Sequence, residues 1–325
     1  MIGSLKPALP ILLLLLGACS DEHQKIILAE PPGPYKMALT VSDQPIAGDK
    51  LILTTKITHS NDDTPVRTLQ TLHERRVHNF ITKLDFSHFS HIHHEDFKSL
   101  TTKDIDSATL SFPYTFPTPG AYRMVSEFTD STRTWTKHFD IQVGSDYQKD
   151  TTPLPYSYTS AVGDFSGYLN ISDGTIIAGS PTEMLLKITE NNLPVKNLKL
   201  WLGSEAHVAI WRRDGKYFGH THSYTPAMRN MMQSLADKAH GDHQSPNGMK
   251  AMMAKMMAQA SELIFEGPTI PIFFIFPQPG QYVAYIECAP GGRPIVFRFV
   301  LKVVAASQDT TGHKQTTDSL LGNTM

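Results

Sequence analysis

His207-Val208-Ala209-Ile210-Trp211-Arg212-Arg213-Asp214-Gly215-Lys216-Tyr217-Phe218-Gly219-His220-Thr221-His222 reads as a β-hairpin. Residues 207–213 are rich in strand formers, Asp214-Gly215 is a strong two-residue turn signal, and Tyr217 to His222 runs back. With Asp214 and Gly215 as the loop, Arg213 pairs with Lys216, Trp211 with Phe218, Ala209 with His220 and His207 with His222. Opposed side chains sit roughly 5 Å apart at Cβ and next-but-one neighbours roughly 7 Å apart. Three imidazoles therefore converge on one face of one hairpin.

The pattern His-x12-His-x-His occurs earlier as well, from His78 through His91 to His93, each residue 129 positions before its counterpart. Other landmarks recur in the same order. Ile46-Ala47-Gly48-Asp49 is echoed by Ile177-Ala178-Gly179-Ser180, and Thr64-Pro65-Val66 by Leu193-Pro194-Val195. Phe116-Pro117-Thr118-Pro119-Gly120-Ala121-Tyr122 is echoed by Phe276-Pro277-Gln278-Pro279-Gly280-Gln281-Tyr282, and Glu287 falls where Glu127 did. The chain is an internal duplication. The offset grows to 160 at the proline-glycine turns, so the second copy carries 31 extra residues between His222 and Thr269.

At 325 residues the chain suits two domains. A net charge of −2 gives no electrostatic case for nucleic acid. Residues 1–19 read as a signal peptide: Lys6 supplies the positive region, Leu9 to Leu16 an apolar run too short to span, and Leu16-Gly17-Ala18-Cys19 resembles a bacterial lipobox. The resemblance implies lipidation of Cys19 and a membrane anchor in the cell envelope, with Ser20 favouring the outer membrane, facing the periplasm or the cell surface. Cys288 is then the sole remaining thiol, in phase with apolar strand positions, and reads as a small buried hydrophobe.

Residues 20–34 form a proline-rich tether, 35–143 a first β domain, 144–163 a linker, 164–304 a second β domain, and 305–325 a polar, disordered tail. Short strands with turn signals about every ten residues predict a mainly β chain of two tandem sandwiches, not βαβ units. The extra segment, about 226–262, differs from its surroundings. It holds Met228, Met231, Met232, Met249, Met252, Met253, Met256 and Met257 at helical spacing, and Ser245-Pro246 is a good helix start. A helical hairpin is expected there, its two helices joined by Gly241-Asp242-His243-Gln244, with His240 and His243 in the connecting loop.

Neutral imidazole binds Zn(II), Cu(II) or Ni(II), and a hairpin fixes ligand separation before an ion arrives. The candidate metal ligands are His207, His220 and His222, with His78, His91 and His93 in the first copy; His88 and His94 lie beside the latter. The competing reading is structural, because Phe80 and Phe89, or Trp211 and Phe218, give the same faces a core-like character. The methionine stripe likewise reads either as helix packing or as a soft-metal or partner site together with His240 and His243, since thioethers select Cu(I) and flexible methionine surfaces suit docking.

The two copies look like small periplasmic immunoglobulin-like domains of the FixH and YtkA-like type. The residues carrying this are Pro65-Val66 with His78 and Phe89-Ser90-His91-Ile92-His93, Pro194-Val195 with His207 and Phe218-Gly219-His220-Thr221-His222, and the two proline-glycine turns. The resemblance implies immunoglobulin-like β-sandwiches in the cell envelope, often associated with heavy-metal or copper handling. The expectation is a lipid-anchored binding protein for a transition metal, copper first and zinc second, acting as carrier, buffer or sensor. The alternative is a structural or interaction lipoprotein whose Met-rich helices dock an envelope partner. No nucleophile motif or phosphate-binding loop argues for an enzyme.

Overall fold

The computed structural model describes residues 33–131, 133–145, 152–223 and 267–306. The expected signal peptide with Cys19, and the Met-rich segment with His240 and His243, lie outside the described residues. Among the described residues the chain is mainly β, with one short α-helix, α1 (Thr102–Ser107), capped by Thr101 and Asp104.

The first repeat has seven strands: β1 (Tyr35–Val41), β2 (Lys50–His59), β3 (Val77–Lys83), β4 (Phe89–Ile92), β5 (Thr109–Thr115), β6 (Gly120–Thr129) and β7 (Thr134–Val143). They form two antiparallel sheets, β1-β2-β5 and β4-β3-β6-β7. Alternating apolar residues from both sheets meet in one core, including Leu39, Leu53, Phe112, Ile81, Tyr122 and Ile141.

The second repeat follows the same plan with additions. Its strands are β8 (Thr159–Val162), β9 (Phe165–Ile171), β10 (Ile176–Ile177), β11 (Pro181–Glu190), β12 (Leu193–Pro194), β13 (Leu198–Lys199), β14 (Ala206–Arg212), β15 (Phe218–His222), β16 (Thr269–Ile275), β17 (Gly280–Pro290) and β18 (Ile295–Val304). One sheet runs β12-β11-β9-β8 with β16 on β11, and the other β10-β18-β17-β14-β15 with β13 on β17. Its core includes Leu169, Leu186, Ile210, Ile272, Tyr282 and Phe299. Both repeats share a corner: Tyr122 donates its hydroxyl to the Thr118 carbonyl and Tyr282 to that of Gln278, each at 2.8 Å. Cys288 is fully buried in the second core, and burial pushes its thiol up.

Strands β3 and β14 are buried on both faces. On β3, Val77 and Ile81 enter the sandwich core, and on β14, Val208 and Ile210 do. The opposite faces meet each other. Phe80, Phe86 and Val125 of the first repeat pack with Ala209, Trp211, Val283, Tyr285 and Val300 of the second in a third apolar cluster. The face with histidine, phenylalanine and tryptophan is thus neither core nor surface, but the seam between repeats.

The hairpins keep the expected register, with His207 opposite His222, Ala209 opposite His220 and Trp211 opposite Phe218. The turn differs from the two-residue loop. Arg212 N–H bonds the Tyr217 carbonyl and Gly215 N–H the Arg212 carbonyl, so residues 213–216 form a four-residue loop needing a left-handed backbone only at Gly215 (φ 75°). The first hairpin does the same with Phe86 at φ 62°. A bulky residue there is costly, and the other repeat holds it: Tyr285 donates its hydroxyl to the Phe86 carbonyl at 2.7 Å, and the Arg213 guanidinium bonds the Leu84 carbonyl at 3.1 Å. Arg123 reaches the Gly215 carbonyl in return.

Candidate metal centre

In the first repeat the strand pair brings three ring nitrogens together. His78 Nδ1, His91 Nε2 and His93 Nε2 lie 3.0 Å from one another. Their other nitrogens are engaged outwards. His78 Nε2 donates to the Leu72 carbonyl at 3.0 Å, and His93 Nδ1 to Asp96 Oδ2 at 2.9 Å. His91 Nδ1 meets Glu287 Oε2 of the second repeat at 2.9 Å. A neutral imidazole has one N–H and one lone pair, so the outward bonds of His78 and His93 leave lone pairs aimed inward.

Burial, then the neighbouring imidazoles, hold His78, His91, His207 and His222 well below the usual histidine range. These rings are neutral at pH 7 and available as ligands. Burial pushes the Glu287 carboxyl up to about 8, so the His91–Glu287 pair retains a proton that a cation would displace. An ion about 2.0–2.1 Å from each nitrogen needs nitrogens roughly 3.0–3.4 Å apart. The first group fits that with little movement, and its carboxylate and carbonyl partners are the kind that orient metal-binding histidines.

The second group departs from the one expected. The ring nitrogens that gather within 4.8 Å are those of His73, His207 and His222, and His73 belongs to the first repeat. His220 stands beside them, its ring centroid 4.4 Å from that of His222. It donates Nδ1 to Glu127 Oε2 at 2.6 Å, mirroring His91 and Glu287. His207 Nε2 donates to the Trp201 carbonyl at 2.9 Å as His78 does to Leu72. Glu127 and Glu287 are thus buried against the opposite repeat.

His88 and His94 point elsewhere: His88 Nε2 lies 2.8 Å from the Tyr114 hydroxyl, and His94 Nδ1 accepts the Ser111 N–H at 3.0 Å. Asp85 and Asp214 serve their turns, accepting the backbone N–H of Ser87 and Lys216. Sequence reasoning missed His73, Asp96, Glu127 and Glu287. His73 had a signal. At the repeat offset, Leu72-His73-Glu74-Arg75 lies over Trp201-Leu202-Gly203-Ser204, and both form tight turns closed by a reciprocal backbone pair.

The chain belongs to the family described as a domain of unknown function (DUF8832), whose model matches residues 31–145 and again 163–305. No curated protein matches it. Among solved structures it is similar to a putative membrane-anchored protein from Corynebacterium diphtheriae, at 12% identity and a TM-score of 0.22, over 86% of this chain and 60% of that one. It is also similar to the Escherichia coli adhesin FdeC, at 10% identity and 0.22, over 86% and 67%. Trypsin-activated α2-macroglobulin from Escherichia coli matches at 11% identity and 0.22, over 86% of this chain and 17% of the larger one.

Proposed function

We propose that this protein binds a transition-metal ion on the buried histidines between its repeats, as a lipid-anchored carrier, buffer or sensor of the cell envelope. Copper is the first expectation and zinc the second. The observation that carries the reading is the trio His78 Nδ1, His91 Nε2 and His93 Nε2, mutually at 3.0 Å, with the outward nitrogens of His78 and His93 tied to acceptors. Hydrogen bonding among the rings cannot satisfy His78 Nδ1 and His93 Nε2 together unless His91 turns its proton inward, and one ion satisfies all three.

The first repeat has the three-plus-four strand order of an immunoglobulin-like sandwich, the second keeps it as β9-β11-β16 and β15-β14-β17-β18 with added strands, and both have the tyrosine corner. We read the pair as a rigid frame that sets ligand geometry before binding. The lipobox-like Leu16-Gly17-Ala18-Cys19 supports the anchor, and the methionine-rich segment supports copper as the ion of interest. This reading is of a binding protein. The crossed His–Glu pairs also support a second reading, a structural module in which the histidines only dock the repeats.

Titration of the full chain in detergent with Cu(II) and Zn(II), beside a His78→Ala/His91→Ala/His93→Ala variant, tests this. Tight uptake by the parent, with release of about one proton per ion near pH 7 and loss of at least one equivalent in the variant, is expected. Unchanged stoichiometry in the variant, or no tight binding by the parent, favours the structural module.

A further inference from the structure

The second histidine group is built differently from the first, and the difference lies in one turn. Leu72 and Arg75 bond each other across His73-Glu74, and both central residues are left-handed, at φ 48° and 65°. The matching turn, Trp201 to Ser204, holds Leu202 at φ 50° and Gly203 at φ 75°. Glycine takes that conformation at little cost, whereas glutamate does not. The turn of the first repeat is therefore the more strained, and its product is the position of His73. The ring stacks on His222 of the other repeat at 3.8 Å between centroids, meets His207 edge-on at 5.5 Å, and hydrogen-bonds the Leu202 backbone.

Four buried ring nitrogens in this region have no hydrogen-bond partner: His73 Nε2, His207 Nδ1, His220 Nε2 and His222 Nε2. A buried polar atom left without a partner is costly, and four together call for a shared one. We propose that His73, His207 and His222, flanked by His220, hold a second transition-metal ion, and that the two histidine groups form one binuclear centre across the seam. This rests on the metal-binding reading above.

The groups are contiguous. His91 of the first and His207 of the second lie 5.5 Å apart between ring centroids, and His78 and His220 lie 5.8 Å apart. With ions about 2 Å from ring nitrogens, the two are within roughly 12 Å of each other. Their mutual repulsion is offset by three carboxylates on the outward ring nitrogens: Asp96 on His93, Glu287 on His91 and Glu127 on His220. Both ions are of the class imidazole selects, Cu(II), Zn(II) or Ni(II).

The test is Cu(II) loading of the full chain, read by metal analysis and electron paramagnetic resonance, with His73→Leu as the main variant. Leu202 holds the same backbone conformation in the matching turn, so His73→Leu keeps the fold; unfolding of the metal-free variant checks this, and His73→Asn serves as a second variant tolerant of left-handed backbone. The parent is expected to bind two ions whose spectra are broadened by mutual coupling. His73→Leu is expected to keep one uncoupled ion and to bind the second at least tenfold more weakly. His93→Ala is expected to weaken the other ion. A parent that binds a single ion, or a His73→Leu variant with two ions at unchanged affinity, overturns the binuclear centre and leaves the single-site function standing. No tight uptake at all overturns that function.

Discussion

The two faces meeting at the seam are built on matching strands and carry opposite bulk. Where the first repeat has Phe80, Thr82 and Val125, the second has Ala209, Trp211 and Tyr285 at the corresponding positions. Large residues of one repeat reach small residues of the other, as when the Tyr285 hydroxyl lies 3.3 Å from that of Thr82. Apart from His73 and Asp96, matched by Leu202 and Thr225, the polar set shows no such divergence. His78 and His207, His91 and His220, His93 and His222, and Glu127 and Glu287 are the same residue in both copies. In a two-fold self-complementary seam residue i of one copy meets j of the other and j meets i, as the crossed His91–Glu287 and His220–Glu127 pairs still do. This one has become a matched pair of unlike apolar surfaces around a like polar centre. Specialisation of the packing with retention of the ring nitrogens fits a site that needs both repeats.

Acid should break the seam with the largest effect. In the metal-free protein His73, His78, His91, His207 and His222 are held below the usual histidine range, His73 at about 4. The unfolded chain takes protons on these rings near pH 6.5 while the folded chain does not. Stability is then full above about pH 6.5 and falls as pH falls. A loss on the order of 5 kcal/mol between pH 6.5 and 5 is expected from urea midpoints measured at stepped pH. Glu287 acts in the opposite direction. Its folded carboxyl is raised to about 8, so its contribution is lost as pH rises towards that value, and Glu287→Gln should flatten the alkaline limb. A flat profile from pH 6.5 to 5 would show that the rings are not buried together.

The unlike apolar surfaces predict unequal substitutions at matching positions. Trp211 is 1% exposed in the seam cluster. Trp211→Ala should cost about 3–5 kcal/mol in urea unfolding. Its counterpart Thr82 bonds the His88 carbonyl at 2.9 Å, and Thr82→Ala should cost about 1 kcal/mol. Equal losses would mean that the two repeats do not divide the seam as knob and hole.

Much of this organisation was legible from the sequence, and the reasons for the rest are physical. Hairpin register follows from alternation and turn position, so His207 opposite His222 could be counted along the chain. The loop type could not, because Asp-Gly serves a four-residue loop as well as a two-residue one. The mainly β class followed from strand spacing, while the expected helical insertion lies outside the described residues. Alternation places Glu127 and Glu287 on the face away from their own core but does not say what covers that face. A second repeat does, and this turned apparent surface carboxylates into partners of His220 and His91. His73 sits in a turn outside the periodicity and the histidine spacing, and the repeat offset marks only the turn, because Leu202 stands at its place in the second copy.

The smallest test concerns the second strands of the two hairpins, where Ser90 in the first repeat matches Gly219 in the second. Ser90 Oγ lies 3.1 Å from the Tyr114 hydroxyl and 3.2 Å from His88 Nε2, so that hairpin uses the side chain. In the second repeat Phe274 takes the place of Tyr114. A Cβ on Gly219 would stand 2.5 Å from the Phe274 ring and 2.9 Å from the Tyr217 hydroxyl. The need for glycine here is one of space: no left-handed backbone is involved. Gly219→Ala should therefore cost about 1–3 kcal/mol by forcing Phe274 aside, and Ser90→Gly about 1 kcal/mol through lost hydrogen bonds and added backbone freedom. Urea midpoints of both variants measure this directly. A Gly219→Ala variant as stable as the parent would show that Phe274 swings away freely, and the second hairpin would then be the looser of the two frames.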